Sequence, residues 1–194
     1  MKLAIVVPVY KISPDSDEAF SLKQCLKVLF RHDIYLVCAE GLAIEEYEKI
    51  IQANKGEETT VSFMRFPAQY FSSIAGYNQL MLSKDFYKKF SAYQYMLIYQ
   101  LDAFIFRDDL ENWCSKGYDY VGAPWINWSW SEHYARFLTL PRKVFTKLGY
   151  KGYNLVGNGG FSLRKTTSFI NNLVFLPVRQ NHFNRMRTTF FHFM

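Results

Sequence analysis

Short apolar runs and amphipathic segments take turns along this chain from its first residues. Lys2 to Val9 (KLAIVVPV) is apolar at nearly every position and reaches Pro8, the signature of a strand buried on both faces. From Asp15 to Phe30 the period changes. Phe20, Leu22, Leu26, Leu29 and Phe30 form an apolar helical face, with Asp15 or Ser16 as its cap. Asp33 to Ala39 (DIYLVCA) predicts a second strand, stopped by Gly41, and Ile44 to Asn54 an acidic helix ended near Lys55-Gly56. Val61 to Phe66 predicts a third strand, closed by Pro67, and Ser72 to Phe90 one longer helix with a break point near Ser83. Tyr95 to Leu101 reads as the central strand. Asp109 to Lys116 then predicts a helix, Tyr118 to Val121 a strand ending at Gly122, and Pro141 to Leu148 a helix with proline in its first turn. Phe161 to Arg164 closes the pattern as a strand, followed by a helix over Thr166 to Leu173. This alternation predicts an α/β domain with a central, mostly parallel sheet and helices on both faces. No linker, repeat or low-complexity tract divides it, so one domain is expected over residues 1–194.

Composition narrows the class. With 49% hydrophobic and 19% aromatic residues, the chain is neither disordered nor a polar linker. No stretch approaches the ~20 apolar residues of a membrane span. The opening MKLAIVVPVYK lacks a small-residue cleavage site and reads as a first strand rather than a signal peptide. Cys25, Cys38 and Cys114 are widely spaced and odd in number, which suits a reducing cytoplasm better than a disulfide framework or a zinc site. The Asn127-Trp128-Ser129 sequon is discounted because no export signal is expected.

Charge is unevenly placed. Residues 1–132 hold all 17 Asp and Glu with 13 Lys and Arg, whereas residues 133–194 hold ten Lys and Arg and no acid. The basic stretch fits a phosphate-bearing ligand or an anionic membrane surface with a lipid-linked acceptor; charges scattered over the domain are the plain alternative. No nucleic-acid-binding module accompanies it, and nucleic acid is not expected as a partner.

Candidate chemistry concentrates in YMLIYQLDAFIF (95–106), GAPW (122–125) and GNGGFSLRK (157–165). The central strand delivers Asp102 to its C-terminal end, the edge at which open α/β sheets bind ligands. A carboxylate there can hold Mg²⁺ or Mn²⁺ against phosphate oxygens, or accept hydrogen bonds from ribose or sugar hydroxyls. The neighbour two residues earlier is the neutral Gln100, so no Asp-x-Asp pair is formed. Gly157, Asn158, Gly159 and Gly160 imply either a tight turn or backbone amides brought against a ligand. Arg164 reads as a phosphate clamp or as a solvated charge at a strand end. Trp125, with Trp128 and Trp130 behind it, stacks sugar rings or anchors a loop. Serine-hydrolase, Walker, dinucleotide-binding and HExxH patterns are all missing, and the four histidines have no ligand spacing.

These segments, together with VVPVYK (6–11), CAEGL (38–42) and GYNQLMLSKDFYKKF (76–90), resemble the family known as domain of unknown function 5672. Its members are similar to glycosyltransferases of the GT-A fold. The resemblance implies a nucleotide-sugar donor and a saccharide acceptor, with Pro8, Val9 and Tyr10 at the nucleotide. It places Gln100 and Asp102 where GT-A enzymes keep their metal-binding acids, and residues 157–160 beside the sugar or acceptor. It also implies an acidic pair shortly before Phe190 and Phe191, of which one carboxylate would serve as general base. This chain has Arg187, Thr188 and Thr189 there, so its C-terminal part reads as shortened or diverged. The resulting expectation is a glycosyltransferase of the cytoplasm or the inner membrane face. The alternative is a binding domain that has lost its base.

Overall fold

A computed structural model describes residues 2–123 and 158–173. Six strands form one sheet: β1 (Leu3–Pro8), β2 (Asp33–Ala39), β3 (Val61–Phe66), β4 (Tyr95–Tyr99), β5 (Tyr120–Ala123) and β6 (Asn158–Lys165). Their spatial order is β3-β2-β1-β4-β6-β5. β1 pairs in parallel with β2 and β4, and β2 with β3, while β6 runs antiparallel to both β4 and β5. The expected mostly parallel sheet is thus present.

Its order follows from the side chains. Leu3, Ile5 and Val7 of β1, Ile34, Leu36 and Cys38 of β2, and Tyr95, Leu97 and Tyr99 of β4 all point to one face. There they meet α1 (Ser16–Val28), α2 (Glu45–Asn54) and α5 (Leu110–Ser115). The residues between them, Ala4, Val6, Val37, Met96 and Ile98, point to the other face. That face is covered by α3 (Ile74–Met81), α4 (Lys84–Lys88) and α6 (Thr166–Asn172). Each fully buried aliphatic side chain contributes about 1.5–3 kcal/mol relative to exposure, and strands buried on both faces have no polar positions to spare.

Helix α1 starts where its residues dictate. Asp15 accepts from the Asp17 and Glu18 amides at 3.1 and 2.9 Å, and Glu18 returns a bond from the Asp15 amide at 3.0 Å. This reciprocal cap fixes the helix N-terminus at the C-terminal edge of β1.

The break expected near Ser83 is present, because the Leu82 and Ser83 amides turn back to Gln79 and Leu80 and end α3 before α4 begins. Three boundaries differ from the sequence expectations. β4 stops at Tyr99, since a tight turn from Gln100 to Ala103 follows it, closed by the Ala103 amide on the Gln100 carbonyl at 3.0 Å. β5 runs through Gly122 to Ala123. β6 begins at Asn158: Ala123 pairs with Asn158, and the Gln100 amide donates to Gly160 at 2.8 Å, so this segment is extended strand and not a turn. The glycines with positive φ among the described residues are Gly41 and Gly117. The helix expected over Pro141 to Leu148 lies outside the described residues.

Candidate functional site

The chain runs β1, β2, β3 outward to one side, then crosses back to place β4 on the other side of β1. Strand order reverses between β1 and β4, which opens a crevice at their carboxyl ends. Two of the sequence candidates flank that crevice. Tyr10 follows β1 and is 62% exposed, with the Lys11 ammonium 5.6 Å from its ring centre. Lys11 is held in turn by Asp15 at 3.0 Å and Glu18 at 2.8 Å. Pro8 and Val9 are buried, and the Val9 amide is taken up by the Val37 carbonyl at 2.8 Å.

Across the crevice, Asp102 is exposed on the tight turn that ends β4. Both ends of that turn are fixed. Gln100, half-buried, donates its amide to β6 through Gly160. The Ala103 carbonyl accepts from Ser21 Oγ at 2.6 Å and from the Tyr99 hydroxyl at 3.2 Å, and Ser21 Oγ and the Tyr99 hydroxyl are themselves 2.7 Å apart. Farther on, the Gln24 side chain donates to the Ile105 carbonyl at 3.0 Å. A carboxylate is thereby held at a chosen point by α1 on one side and β6 on the other, without itself being buried.

Gly159 and Gly160 lie alongside, at the start of β6. A side chain added at Gly159 would make only ordinary contact, at 3.5 Å from the Arg164 guanidinium, so crowding does not explain that glycine. Trp125 and Gly157 lie outside the described residues, as do the basic stretch from residue 174 onward and the positions near Phe190. Asn158 is described through its backbone only.

Arg164 is not a solvated strand end. Its side chain is buried on the α3–α4 face: Nε donates to Ser162 Oγ at 3.0 Å, one terminal nitrogen to the Gly159 carbonyl at 3.1 Å, and the other to the Tyr87 hydroxyl in a short hydrogen bond. The second of these nitrogens also meets Met81 Sδ at 3.9 Å, and the Phe169 and Tyr120 rings lie 5.4 and 5.9 Å from the guanidinium. Every one of these partners is neutral, and the ion pairs found among the described residues leave Arg164 without a carboxylate. Tyr87 and Tyr77 stand nearby with phenol pKa values pushed up, chiefly by burial, and pulled back by the Arg164 charge.

Sequence reasoning missed Tyr77, Tyr87 and Ser162. A signal did exist for the last of them. Ser162 and Arg164 are two apart on a strand, hence on one face, and that face is otherwise apolar. Two polar residues on a covered strand face imply a buried network.

Among the described residues no group of three or more His, Cys, Asp or Glu side chains could hold a metal ion. Asp102 with neutral Gln100 gives a divalent cation one carboxylate, which does not make a metal cage by itself. All three cysteines are free and buried.

A groove of different character lies on the flank, between α1 and the connection from α2 to β3, lined by Phe20, Lys23, Lys27, Phe30, Glu57 and Glu58. Phe20 at its edge stacks on Phe104, just past the turn that carries Asp102, with ring centres 5.3 Å apart.

The sheet, with antiparallel β6 set among parallel strands, has the order of the GT-A fold, and solved structures of that fold superpose on it. The chain superposes on Core-mannan synthase A (CmsA/Ktr4) from Aspergillus fumigatus in its Mn/GDP form with a TM-score of 0.55 and 13% identity, over 87% of this chain and 60% of that one. S. aureus TarS 1-349 gives a TM-score of 0.50 at 12% identity, over 91% of this chain and 50% of that one. Mouse xyloside xylosyltransferase 1 in its apo form gives 0.50 at 12% identity, over 88% and 68%. At these identities the likeness is one of fold. The chain belongs to the family described as protein of unknown function (DUF5672), which it matches over residues 60–190. No curated protein matches it in sequence. Among the described residues no helix is long and apolar enough to cross a membrane.

Proposed function

We propose that this protein is a glycosyltransferase that takes a nucleoside diphosphate sugar as donor and a saccharide hydroxyl as acceptor. One observation carries the reading. The exposed Asp102 sits on a doubly anchored turn after β4, and the exposed Tyr10 follows β1, the parallel neighbour of β4, at the same sheet edge. In this reading Tyr10 stacks the base, since an exposed ring at a strand end offers a face to any heterocycle. Asp102 accepts hydrogen bonds from the ribose or the transferred sugar, with Gln100 beside it. Asn158, Gly159 and Gly160 line the sugar side. The family's fold suggests Mn²⁺ or Mg²⁺ at the diphosphate. Asp102 offers such an ion a single carboxylate, and the remaining positions would fall to the donor's phosphate oxygens.

The test is calorimetric titration of the full chain with UDP- and GDP-sugars, each with and without Mn²⁺. Saturable binding that weakens about tenfold in Asp102→Asn supports the reading, since that change removes the charge from the hydrogen bonds Asp102 makes. A folded sample that binds no nucleotide overturns it.

A second reading is favoured by a fact of sequence. Residues 133–194 contain no carboxylate to act as a general base. The chain would then be a nucleotide-sugar-binding domain without transferase activity. Tight binding with neither transfer nor hydrolysis supports this second reading. Transfer that disappears in Asp102→Ala refutes it.

A further inference from the structure

Tyr77 is a residue the proposed chemistry has not used. It lies on α3, four residues before Met81 and therefore on the same helix face, and Met81 Sδ touches the Arg164 guanidinium. Its hydroxyl is buried and has no hydrogen-bond partner among the described residues. The Gln100 side chain comes close to it without reaching hydrogen-bond geometry, and the Arg164 and Asp102 charges both act on it. An orphaned buried hydroxyl is costly, and native proteins keep very few of them. Arg164 adds a second anomaly in the same place: a buried positive charge whose partners are Ser162, Tyr87, the Gly159 carbonyl and Met81, all of them neutral. Burying an uncompensated charge is costly as well.

The two anomalies have one joint explanation. We infer that the Tyr77 hydroxyl, backed by the Arg164 guanidinium, is a binding group for an anionic oxygen of the ligand that sits beside Gln100 and Asp102. The positive charge behind the phenol makes its O–H a better donor. The partner it suits is an acceptor oxygen carrying negative charge, whether a phosphate of the nucleoside diphosphate or the carboxylate of an acidic sugar. Such a ligand would satisfy the hydroxyl and compensate the guanidinium together. Arg164 itself is enclosed and acts through Tyr77 as a positioning and field-setting residue. The inference rests on the reading that the edge around Asp102 binds a nucleotide sugar, and it adds the residue that meets the ligand's charge.

The experiment compares the full chain with Tyr77→Phe and, as a second variant, Arg164→Met. Each is melted without ligand and titrated with UDP, GDP, inorganic diphosphate, UDP-glucose and UDP-glucuronate. Tyr77→Phe should melt no lower than the parent, because it deletes a group that has no partner in the free protein. Its affinity should fall about tenfold or more, the usual worth of a hydrogen bond to a charged group. A phosphate contact would weaken UDP, GDP and inorganic diphosphate alike. A carboxylate contact would leave these unchanged and remove any preference for UDP-glucuronate over UDP-glucose. Unchanged affinity for all five probes in Tyr77→Phe would overturn the inference, as would a lower melting temperature with unchanged binding. If the parent binds no nucleotide, the proposed function fails, and the diphosphate arm still decides this point. Diphosphate binding lost in Tyr77→Phe supports the anion site, and its absence in the folded parent refutes it.

Discussion

The two faces of the sheet are built differently. The face toward α1, α2 and α5 is largely aliphatic, filled by Ile5, Leu22, Leu26, Leu36, Leu97 and their neighbours. Its main polar feature, the Ser21–Tyr99 pair, serves to hold the turn before α5. The face toward α3, α4 and α6 is aromatic, with Phe66, Phe86, Tyr87, Phe90 and Phe169 in mutual ring contact. It also encloses the Arg164 charge. The first face closes with groups that need nothing from outside. The second retains a guanidinium and a hydroxyl that the apolar packing does not require. In the proposed reading the aliphatic face supplies stability and the anchor of the Asp102 turn, and the aromatic face the groups kept for the ligand's charge; that difference can be attacked experimentally.

The largest effect should come from alkali. Burial pushes Cys25, Tyr47 and Tyr99 up to about 12 and Cys114 up to about 11, all of them on the aliphatic face. Their ordinary values are 9.0 for the thiols and 10.0 for the phenols. Between those limits the unfolded chain has lost protons that the folded one keeps, so stability falls as pH rises. The contribution is fully present below the ordinary values and lost as pH climbs through the raised ones. Urea midpoints at about pH 8 and about pH 10.5 should show a large drop, while thiol reagents leave the native protein unlabelled at the lower pH. A flat midpoint across that range would mean that water reaches these groups on the aliphatic face.

Next in size is Leu97→Ala, on the central strand with 1% of its surface exposed. Truncation there should cost about 2–5 kcal/mol, read from urea unfolding, because paired strands on either side, β1 and β6, leave little room for collapse. Gly76→Ala should follow at about 1–3 kcal/mol, the usual cost of forcing extra atoms into a filled site. A Cβ at Gly76 would stand 2.4 Å from the Gln69 carbonyl oxygen, which belongs to a 3-10 turn packed against α3. The same displacement would move its neighbour Tyr77, so nucleotide affinity should fall along with stability.

Most of this architecture was legible in the sequence, for a physical reason. Strands covered on both faces cannot admit polar residues, so β1, β2 and β4 announce themselves as unbroken apolar runs, and Asp15 or Ser16 offers a cap where α1 begins. The position of Asp102 at a strand's carboxyl end could be read in the same way. The errors fell where tertiary hydrogen bonds override local preference. The glycines at 159 and 160 favour a turn, yet the Gln100 amide draws Gly160 into the sheet. Arg164 reads as surface charge because arginine is seldom enclosed, and only the shared face with Ser162 hints otherwise. Tyr77 gave no signal, since its interest lies in a hydrogen bond that the fold leaves unmade.

Arg164→Met should produce the smallest change in stability. Removing a buried charge is often severe because its former partners are stranded, but here they are not. The Tyr87 hydroxyl still donates to the Met81 carbonyl at 2.9 Å, and Ser162 Oγ still donates to the Gly159 carbonyl at 2.9 Å. Methionine fills much of the vacated space and adapts to irregular surroundings. Replacing an enclosed charge by an apolar side chain of similar bulk is frequently neutral or stabilising. The unfolding free energy should therefore move by less than about 1 kcal/mol in either direction, far below the change in Leu97→Ala. Arg164→Ala, which leaves a cavity, should be clearly worse. If Arg164→Met instead unfolds the protein, the guanidinium belongs to the stability of the aromatic face, and the difference between the two faces fails. If the variant stays folded while nucleotide affinity drops, the charge is kept for the ligand's sake.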